Sequence, residues 1–396
     1  MKILFIMPFF SYPIIRGDDL IFYHRIRTLS SRHDIRLLAF YQTLEQLRSL
    51  EKLRPYCQEI YTVRLPKWET IVNLVTGFLF SDLPLHVCKY RSLSFQKQIQ
   101  EILKSQSFDI VHAFGLKLTP YLQDIPIPKV LEIMDSLQLN LERKIRISKE
   151  SLLKRWLLIE EIQRIENYEK KIGKYCDCVI VVAEKDKSFI PSGRVEVIPN
   201  GIDINVFKTQ IKSLEKPRII FSGNMAYAPN IHAINWFVEI CLPIIQKLIP
   251  EISLIIAGAN PPKPILNLSK IKGITVTGFV DSMAEVLNQA SVAIAPMQSG
   301  SGMQNKILEA MACELPIVTT SLGLGSIKAR SEKEIFIADN PEEFAEKIIY
   351  LLENPQLANE IGQKARDFVI QNHSWESTAN QIEDIYKQLI SNEYND

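Results

Sequence analysis

The chain has 396 residues, 46% of them hydrophobic, and 46 Lys and Arg against 45 Asp and Glu give a formal net charge of +1. That length exceeds one ordinary core, so two or three domains with ample apolar material are expected. The charge balance excludes a wholly basic surface of the kind that holds nucleic acid.

The opening MKILFIMPFF invites comparison with a signal peptide. Its apolar run is short, Pro8 interrupts it, and no small-residue cleavage pattern follows, so it reads as a first strand. No uninterrupted apolar run reaches the ~18–20 residues of a membrane span. The six cysteines (57, 88, 176, 178, 241, 313) are scattered, and Cys176-x-Cys178 has no second cluster to complete a zinc site. A reduced, cytoplasmic protein is expected.

Strand-like runs at 2–7, 34–41, 60–65, 109–114, 129–134, 176–183 and 195–200 alternate with helical patterns at Leu20–Ser31, Leu44–Leu53, Leu93–Lys104 and Leu152–Lys174. Such alternation predicts a doubly wound parallel sheet, whose ligands gather outside the carboxyl ends of the strands. The first βα loop, PFFSYPIIRGDD, places Arg16 and Gly17 there, with Asp18 or Asp19 able to cap the helix. His112 lies near the end of DIVHAF, where it reads as a strand histidine packed in the sheet or as a group with a direct role, and Asp135 follows the strand KVLEIM at its carboxyl end. Residues 67–91 are the most apolar stretch of this half. Trp68, Phe78 and Phe80 beside Lys89 and Arg91 suit either buried helix packing or a membrane-surface patch. The long helix carries i,i+4 pairs such as Glu166–Lys170 and reads as a largely solvated support.

VIPNGID (197–203) closes a strand with an Asn-Gly turn, and a domain boundary is expected at about Pro199 to Leu214. Alternation then restarts with 218–223, a helix over Asn230–Leu248, 252–258, 274–279 and a short helix Met283–Leu287. The sharpest stretch follows, SVAIAPMQSGSGMQNKILEAMACELPIVTT (291–320), and after it IFIAD (335–339). The stretch reads as strand, glycine turn, helix and strand. A glycine turn feeding a helix start offers unpaired N–H groups and a positive dipole end to an anion, commonly a phosphate. Lys306 adds a full charge in the first turn, and Glu309 can accept hydrogen bonds from a diol such as ribose.

The string GMQNKILEAMACELPIV (302–318) resembles the donor-site signature of retaining nucleotide-sugar glycosyltransferases of family 4. GMQNKILEAMA is similar to the exosortase-associated sugar transferases of bacterial polysaccharide clusters, and VIPNGID and MAYAPN agree with that resemblance. The resemblance implies the GT-B architecture, two Rossmann-like α/β domains facing a central cleft. It implies an acceptor domain over 1–204, a donor domain over 205–374 and a terminal helix, 375–396, crossing back onto the first. The backbone N–H groups of Gly302 and Met303, with Lys306, suit the leaving diphosphate, and Gln304 and Asn305 can add polar contacts; by the resemblance Ser301 falls at the donor-sugar position and Glu309 at the ribose. The resemblance adds Gly223 and Asn224 after the first strand of the donor domain, and Gly278, Phe279 and Val280 beside the donor base. Gly17 falls near the diphosphate and acceptor, Arg16 and His112 on the acceptor side, and Asp135 is an acceptor-side base or binder.

The chain departs from the family at several points. The family's second histidine is Phe114, its first glutamate position is Ser301, and no Arg–Lys pair occurs between Gly223 and Asn230. No D-x-D string occurs, which fits leaving-group stabilisation without a metal. The implied function is retaining transfer from a nucleotide sugar, UDP- or GDP-linked, to a saccharide or lipid-linked acceptor in surface polysaccharide synthesis. No cofactor is expected, and the site is expected in the cytoplasm or at the inner face of the membrane. The alternatives are a non-catalytic sugar-nucleotide-binding scaffold and a nucleotide-sugar epimerase, the latter needing ring-proton chemistry for which the donor loop supplies no histidine.

Overall fold

A computed structural model describes residues 1–13, 17–134, 137, 138, 141, 152–210, 216–299 and 303–393. The chain forms two compact units, Met1–Asn200 with the chain from Thr378 onward, and Gly201–Ser377.

The first unit holds β1 (Lys2–Met7), β2 (Asp34–Tyr41), β3 (Glu59–Arg64), β4 (Ile110–Phe114), β5 (Lys129–Ile133), β6 (Cys178–Val181) and β7 (Val195–Val197). They form one parallel sheet in the order β3-β2-β1-β4-β5-β6-β7. Because side chains alternate along a strand, continuous apolar runs bury both faces. Leu4, Ile6, Val111 and Ala113 enter one core, while Ile3, Phe5, Ile110 and Phe114 enter the other. The terminal helix Trp375–Glu393 supplies Ala379, Ile382, Ile385, Tyr386 and Leu389 to that second core, a helical spacing that gives one apolar stripe. Arg32 anchors it through Asn380 and Glu383, at 2.7 Å each.

The second unit holds β8 (Arg218–Ser222), β9 (Ser253–Ala257), β10 (Ile274–Gly278), β11 (Val292–Ala295), β12 (Ile317–Thr319) and β13 (Phe336–Ile337). Their order is β10-β9-β8-β11-β12-β13, again all parallel. Ile219, Phe221, Leu254, Ile256, Val292 and Ile294 face one core, and Ile220, Ile255, Ala257, Ala293 and Ala295 the other.

The strands expected at 176–183, 195–200 and 335–339 are shorter than their apolar runs. Pairing stops where neighbours stop, so β7 ends before Pro199 and β13, at the sheet edge, keeps two residues. The helical stretch Ala228–Leu248 has the length and composition of a membrane span, mean hydropathy 1.2. Here it packs Ala233, Ile234, Phe237, Cys241, Leu242 and Ile245 into the core. A π-helical turn over Phe237–Cys241 precedes Pro243, whose missing N–H breaks the ordinary ladder. The six cysteines are unpaired and buried.

Of the stretch 67–91, Val87 and Cys88 are buried in a short helix, whereas the helix Lys67–Phe80 overturns the buried-helix alternative. Only Thr70 and Gly77 are buried on it, while Trp68, Ile71, Val72, Val75, Leu79 and Phe80 are exposed. The helix Leu152–Glu169 is mostly solvated, with the Glu166–Lys170 pair at 2.7 Å, and one stripe of it, Glu161, Ile165, Tyr168 and Glu169, lies buried.

Candidate functional site

The parallel order of the second unit brings the carboxyl ends of β8, β9, β10 and β11 to one edge. Gly223 follows β8, Gly258 follows β9, and Gly278 ends β10. Gly258 N–H donates to the Gly278 carbonyl and Gly223 N–H to the Ala257 carbonyl, both at 3.0 Å. This edge is therefore a shelf of backbone with almost no side-chain bulk. Gly258 has φ +144°, and a Cβ there would lie 1.8 Å from the Gly223 carbonyl oxygen. Gly223 has φ +149°, and its Cβ would lie 3.1 Å from Lys306 Nζ and 2.8 Å from Asn230 Nδ2. Both positions demand glycine by conformation and by space.

Lys306 reaches this shelf from the helix Asn305–Ala312. The helix pattern explains the placement: Ile307, Leu308, Met311 and Ala312 bury against the sheet and carry Lys306 inward with them. Only 9% of Lys306 is exposed. Among the described residues its close partners are all neutral. Nζ donates to Asn230 Oδ1 at 2.6 Å, lies 3.8 Å from Met297 Sδ, and sits 4.3 Å from the centroid of the Phe221 ring. Asn230 is itself buried, and its Nδ2 donates to the Asn224 carbonyl at 2.9 Å. Burial pushes the Lys306 ammonium down to about 7, opposed by the Glu309 charge. Burial likewise pushes the half-buried Glu309 carboxyl up to about 7, opposed by Lys306.

A buried ammonium without a carboxylate against it is costly unless something else carries the countercharge. The glycine shelf removes the side chains that would keep an anion away, and at the helix start the N–H groups of Asn305 and Lys306 have no acceptor among the described residues. Gln304, the residue before that helix, makes no side-chain capping bond. Chemically the edge can receive an anion through Lys306 and backbone N–H groups, with Glu309 one turn further along as acceptor.

Met303 and Gln304 are half-buried and Asn305 is exposed at the same helix start. Asn224 turns the chain after β8, its Oδ1 accepting from Ala226 N–H at 3.0 Å. Phe279 is exposed and Val280 half-buried just beyond Gly278. Ser301, Gly302, Arg16 and Asp135 lie outside the described residues. Gly17 starts the helix Gly17–Leu29, and a Cβ there would meet nothing within 4 Å, so no crowding within the unit requires glycine.

His112 takes the packed-strand reading, and its acceptor-side alternative is corrected. It is fully buried in β4, its Nδ1 2.5 Å from the Tyr386 hydroxyl and its Nε2 3.2 Å from Glu132 Oε2. A group enclosed on both sides in this way is not open to an acceptor. At the carboxyl ends of β4 and β5 there is instead a cavity of about 180 Å³, lined by Asp18, His86, Gly115, Lys117 and Met134 among others. His86 Nδ1 lies 3.1 Å from Glu161 Oε1, and Glu161 also accepts from the N–H groups of Leu85 and His86. Roomier hollows in the second unit fall at the opposite, amino-terminal edge of its sheet, near Arg218, Ser253 and Ser291, away from the glycines. Among the described residues no three His, Cys, Asp or Glu side chains converge as metal ligands.

Sequence reasoning missed Asn230, Gly258, Met297 and the Glu161–His86 pair. Gly258 had a signal, since ISLIIAG ends in glycine as RIIFSG does. Asn230 had none beyond its place after Pro229, because its role needs a helix 76 residues away.

These features define an α/β protein of two parallel-sheet units with a glycine-lined strand edge and a buried lysine on the second. Residues 216–354 match a family model described as Glycosyl transferases group 1. The chain is 24% identical over 386 residues to an uncharacterized 44.6 kDa protein in the cps region of Klebsiella pneumoniae, covering 94% of this chain and 96% of that one. It is 25% identical over 251 residues to an uncharacterized glycosyltransferase of Methanocaldococcus jannaschii, covering 57% and 62%. HepE of Anabaena, solved in complex with UDP, superposes with a TM-score of 0.64 at 15% identity, over 98% of this chain and all of that one. The fold is GT-B, and the domain match supports a glycosyltransferase.

Proposed function

We propose that the protein transfers a sugar from a nucleotide-sugar donor, UDP- or GDP-linked, to a saccharide or lipid-linked acceptor with retention of configuration. The carrying observation is Lys306, a buried ammonium facing neutral Asn230 at a glycine-lined strand edge. A nucleotide sugar brings the countercharge that this lysine lacks. As the sugar leaves, negative charge grows on the diphosphate, and a preorganised cation with backbone donors stabilises it without reorganising. Glu309 would accept from the ribose hydroxyls. No described carboxylate is assigned as the acceptor's base; in this reading the departing phosphate takes that proton. The cavity below Gly115 and Met134 would hold the acceptor. The resemblance in 302–318 supports retention and catalysis without a metal. The cps-region relative supports a role in surface polysaccharide synthesis, at the cytoplasmic face of the membrane.

The test is a thermal-shift screen with UDP, GDP, dTDP, ADP, CMP and their sugars, with and without divalent metal. A ligand that binds only the folded state raises its apparent stability by mass action. The expected result is a shift with one nucleotide that needs no metal and is lost in Glu309→Ala. With the donor fixed, NMR of the product's anomeric proton reads retention against inversion. No shift with any nucleotide, or a shift unchanged in Glu309→Ala, would overturn the reading.

A further inference from the structure

The geometry points to an anionic lipid surface as the partner of an inside-out helix in the first unit. In the helix Lys67–Phe80 the side toward the protein carries one large apolar residue, Leu74, half-buried between Thr70 and Gly77. Thr70 and Gly77 are the buried ones, and a Cβ on Gly77 would lie 2.7 Å from both Cβ and Sγ of Cys88. Trp68, Ile71, Val72, Val75 and Leu79 follow the i, i+3, i+4, i+7, i+11 spacing of one stripe, and that stripe points to solvent. Trp68 is 66% exposed and Phe80, at the far end, 83%.

The helix is not loosely held. Arg164 donates to the carbonyls of Gly77 at 3.3 Å, Ser81 at 2.7 Å and Phe78 at 3.4 Å, and its guanidinium lies 5.9 Å from the Phe78 ring centroid. Arg164 belongs to the helix Leu152–Glu169, where Trp156 and Leu157 occupy its own stripe at i−8 and i−7 and are exposed. Both of the two helices clamped together thus carry exposed apolar residues. The stripe on the first exceeds the scattered apolar residues normal on a soluble surface.

Charge identifies the occupant. Arg64 precedes the helix, Lys67 begins it, Arg155 adjoins Trp156, and the Arg91 carbonyl accepts from Asn73 Nδ2 at 2.7 Å; all four cations are exposed. Against them stand Glu69 and Asp82, while Glu160 on the second helix is held by Arg164 at 3.3 Å. An apolar stripe with an aromatic residue at each end and cations along its border is the pattern of a helix lying in the headgroup layer of an anionic membrane. A second protein surface would favour a border of mixed sign. Glu161 of the second helix holds His86, which follows the first helix and lines the cavity at the carboxyl ends of β4 and β5. This inference lies wholly within the first unit and does not depend on donor binding.

The experiment is co-sedimentation of the full chain with vesicles of phosphatidylcholine alone or with about a third phosphatidylglycerol, read alongside tryptophan fluorescence. The wild type should pellet with the anionic vesicles, release at high salt, and show a blue shift from Trp68 and Trp156, the two exposed tryptophans. The double variant Val75→Glu/Leu79→Glu alters outward side chains, so its melting temperature should stay unchanged while vesicle affinity falls at least about tenfold. Arg64→Gln/Lys67→Gln should weaken binding to anionic vesicles and remove its salt dependence. No pelleting, pelleting unchanged in the double variant, or a wild-type dimer that the double variant converts to monomer would each overturn the proposal.

Discussion

Each unit buries a charge cluster at its sheet, and the two clusters are built on opposite terms. In the first, Arg25 and Glu132 are both fully buried, with Arg25 Nε 3.2 Å from Glu132 Oε1 and Nη2 3.4 Å from the Pro199 carbonyl. Glu132 also meets His112, which in turn meets Tyr386 of the terminal helix. Burial alone would raise the Glu132 carboxyl, but the Arg25 charge and His112 hold it below its usual range. In the second unit the buried cation meets an amide, a thioether and a ring. Burial wins there, and both Lys306 and Glu309 move toward neutrality. A charge answered inside the protein fastens elements together, whereas one answered only by dipoles waits for a ligand.

Removing a partner from the first cluster should produce the largest effect. Glu132→Ala removes the carboxylate that Arg25 and His112 share inside the sheet, a loss of about 3–5 kcal/mol. Urea unfolding should show a lower midpoint for the transition of the first unit, with nucleotide affinity unchanged in the folded fraction. A stability loss below about 1 kcal/mol would show that the pair is not the fastening that its geometry indicates.

Lys306→Met should do the reverse, weakening nucleotide-sugar binding by about a hundredfold, roughly the 3 kcal/mol of a strong charge-assisted contact. It should cost no stability. The folded pKa of Lys306, about 7, lies below its ordinary 10.5. The unfolded chain therefore binds more protons between those values, and the burden of the buried ammonium is present in full below about 7. Lys306→Met should accordingly be more stable than the wild type at pH 6, with the gap closing as pH rises toward 10.5. Melting curves at pH 6 and pH 9 check the sign.

How much of this contrast was legible beforehand depends on distance along the chain. The glycine turn, Lys306 and Glu309 sit within one local strand–turn–helix unit, so their spacing announced them. Arg25 and Glu132 are 107 residues apart and Lys306 and Asn230 are 76 apart, and nothing local couples such pairs. A glutamate inside the apolar run KVLEIM was a signal of a buried partner, though not of which one. The helix Lys67–Phe80 misleads differently: its apolar periodicity is real, but periodicity does not say which side the protein is on.

Asn230→Ala tests the dipole that stands in for a countercharge. It removes the 2.6 Å acceptor of Lys306 and the 2.9 Å tie to Asn224. Nucleotide-sugar affinity should fall about tenfold, near the lower range for a hydrogen bond to a charged group. Asn230→Asp supplies the missing anion inside the protein. It should raise the pKa of Lys306, stabilise the fold above neutral pH, and weaken donor binding more than alanine does, because the donor then competes with a carboxylate. Titration calorimetry on both variants separates positioning from charge.

The gentlest probe is pH itself, which alters each group without mutation. A nucleotide sugar carries a diphosphate diester with no group titrating near neutrality, so any pH dependence of its binding belongs to the protein. Lys306 must be protonated to hold the diphosphate, and with a free pKa of about 7 the affinity should fall above neutrality by up to about tenfold per pH unit, or 1.4 kcal/mol. Binding should take up close to one proton at pH 8, read from calorimetry in two buffers of different ionisation enthalpy. Glu309 accepts from ribose best when ionised, and its raised value of about 7 makes the affinity fall below neutrality as well, with a proton released on binding. The resulting profile should peak near pH 7, lose its alkaline limb in Lys306→Met and its acid limb in Glu309→Gln. The first unit supplies the control: Glu132 is already ionised through its partners, so Glu132→Gln should leave both limbs in place. A flat profile in the wild type would mean that Lys306 and Glu309 are not the groups that meet the donor.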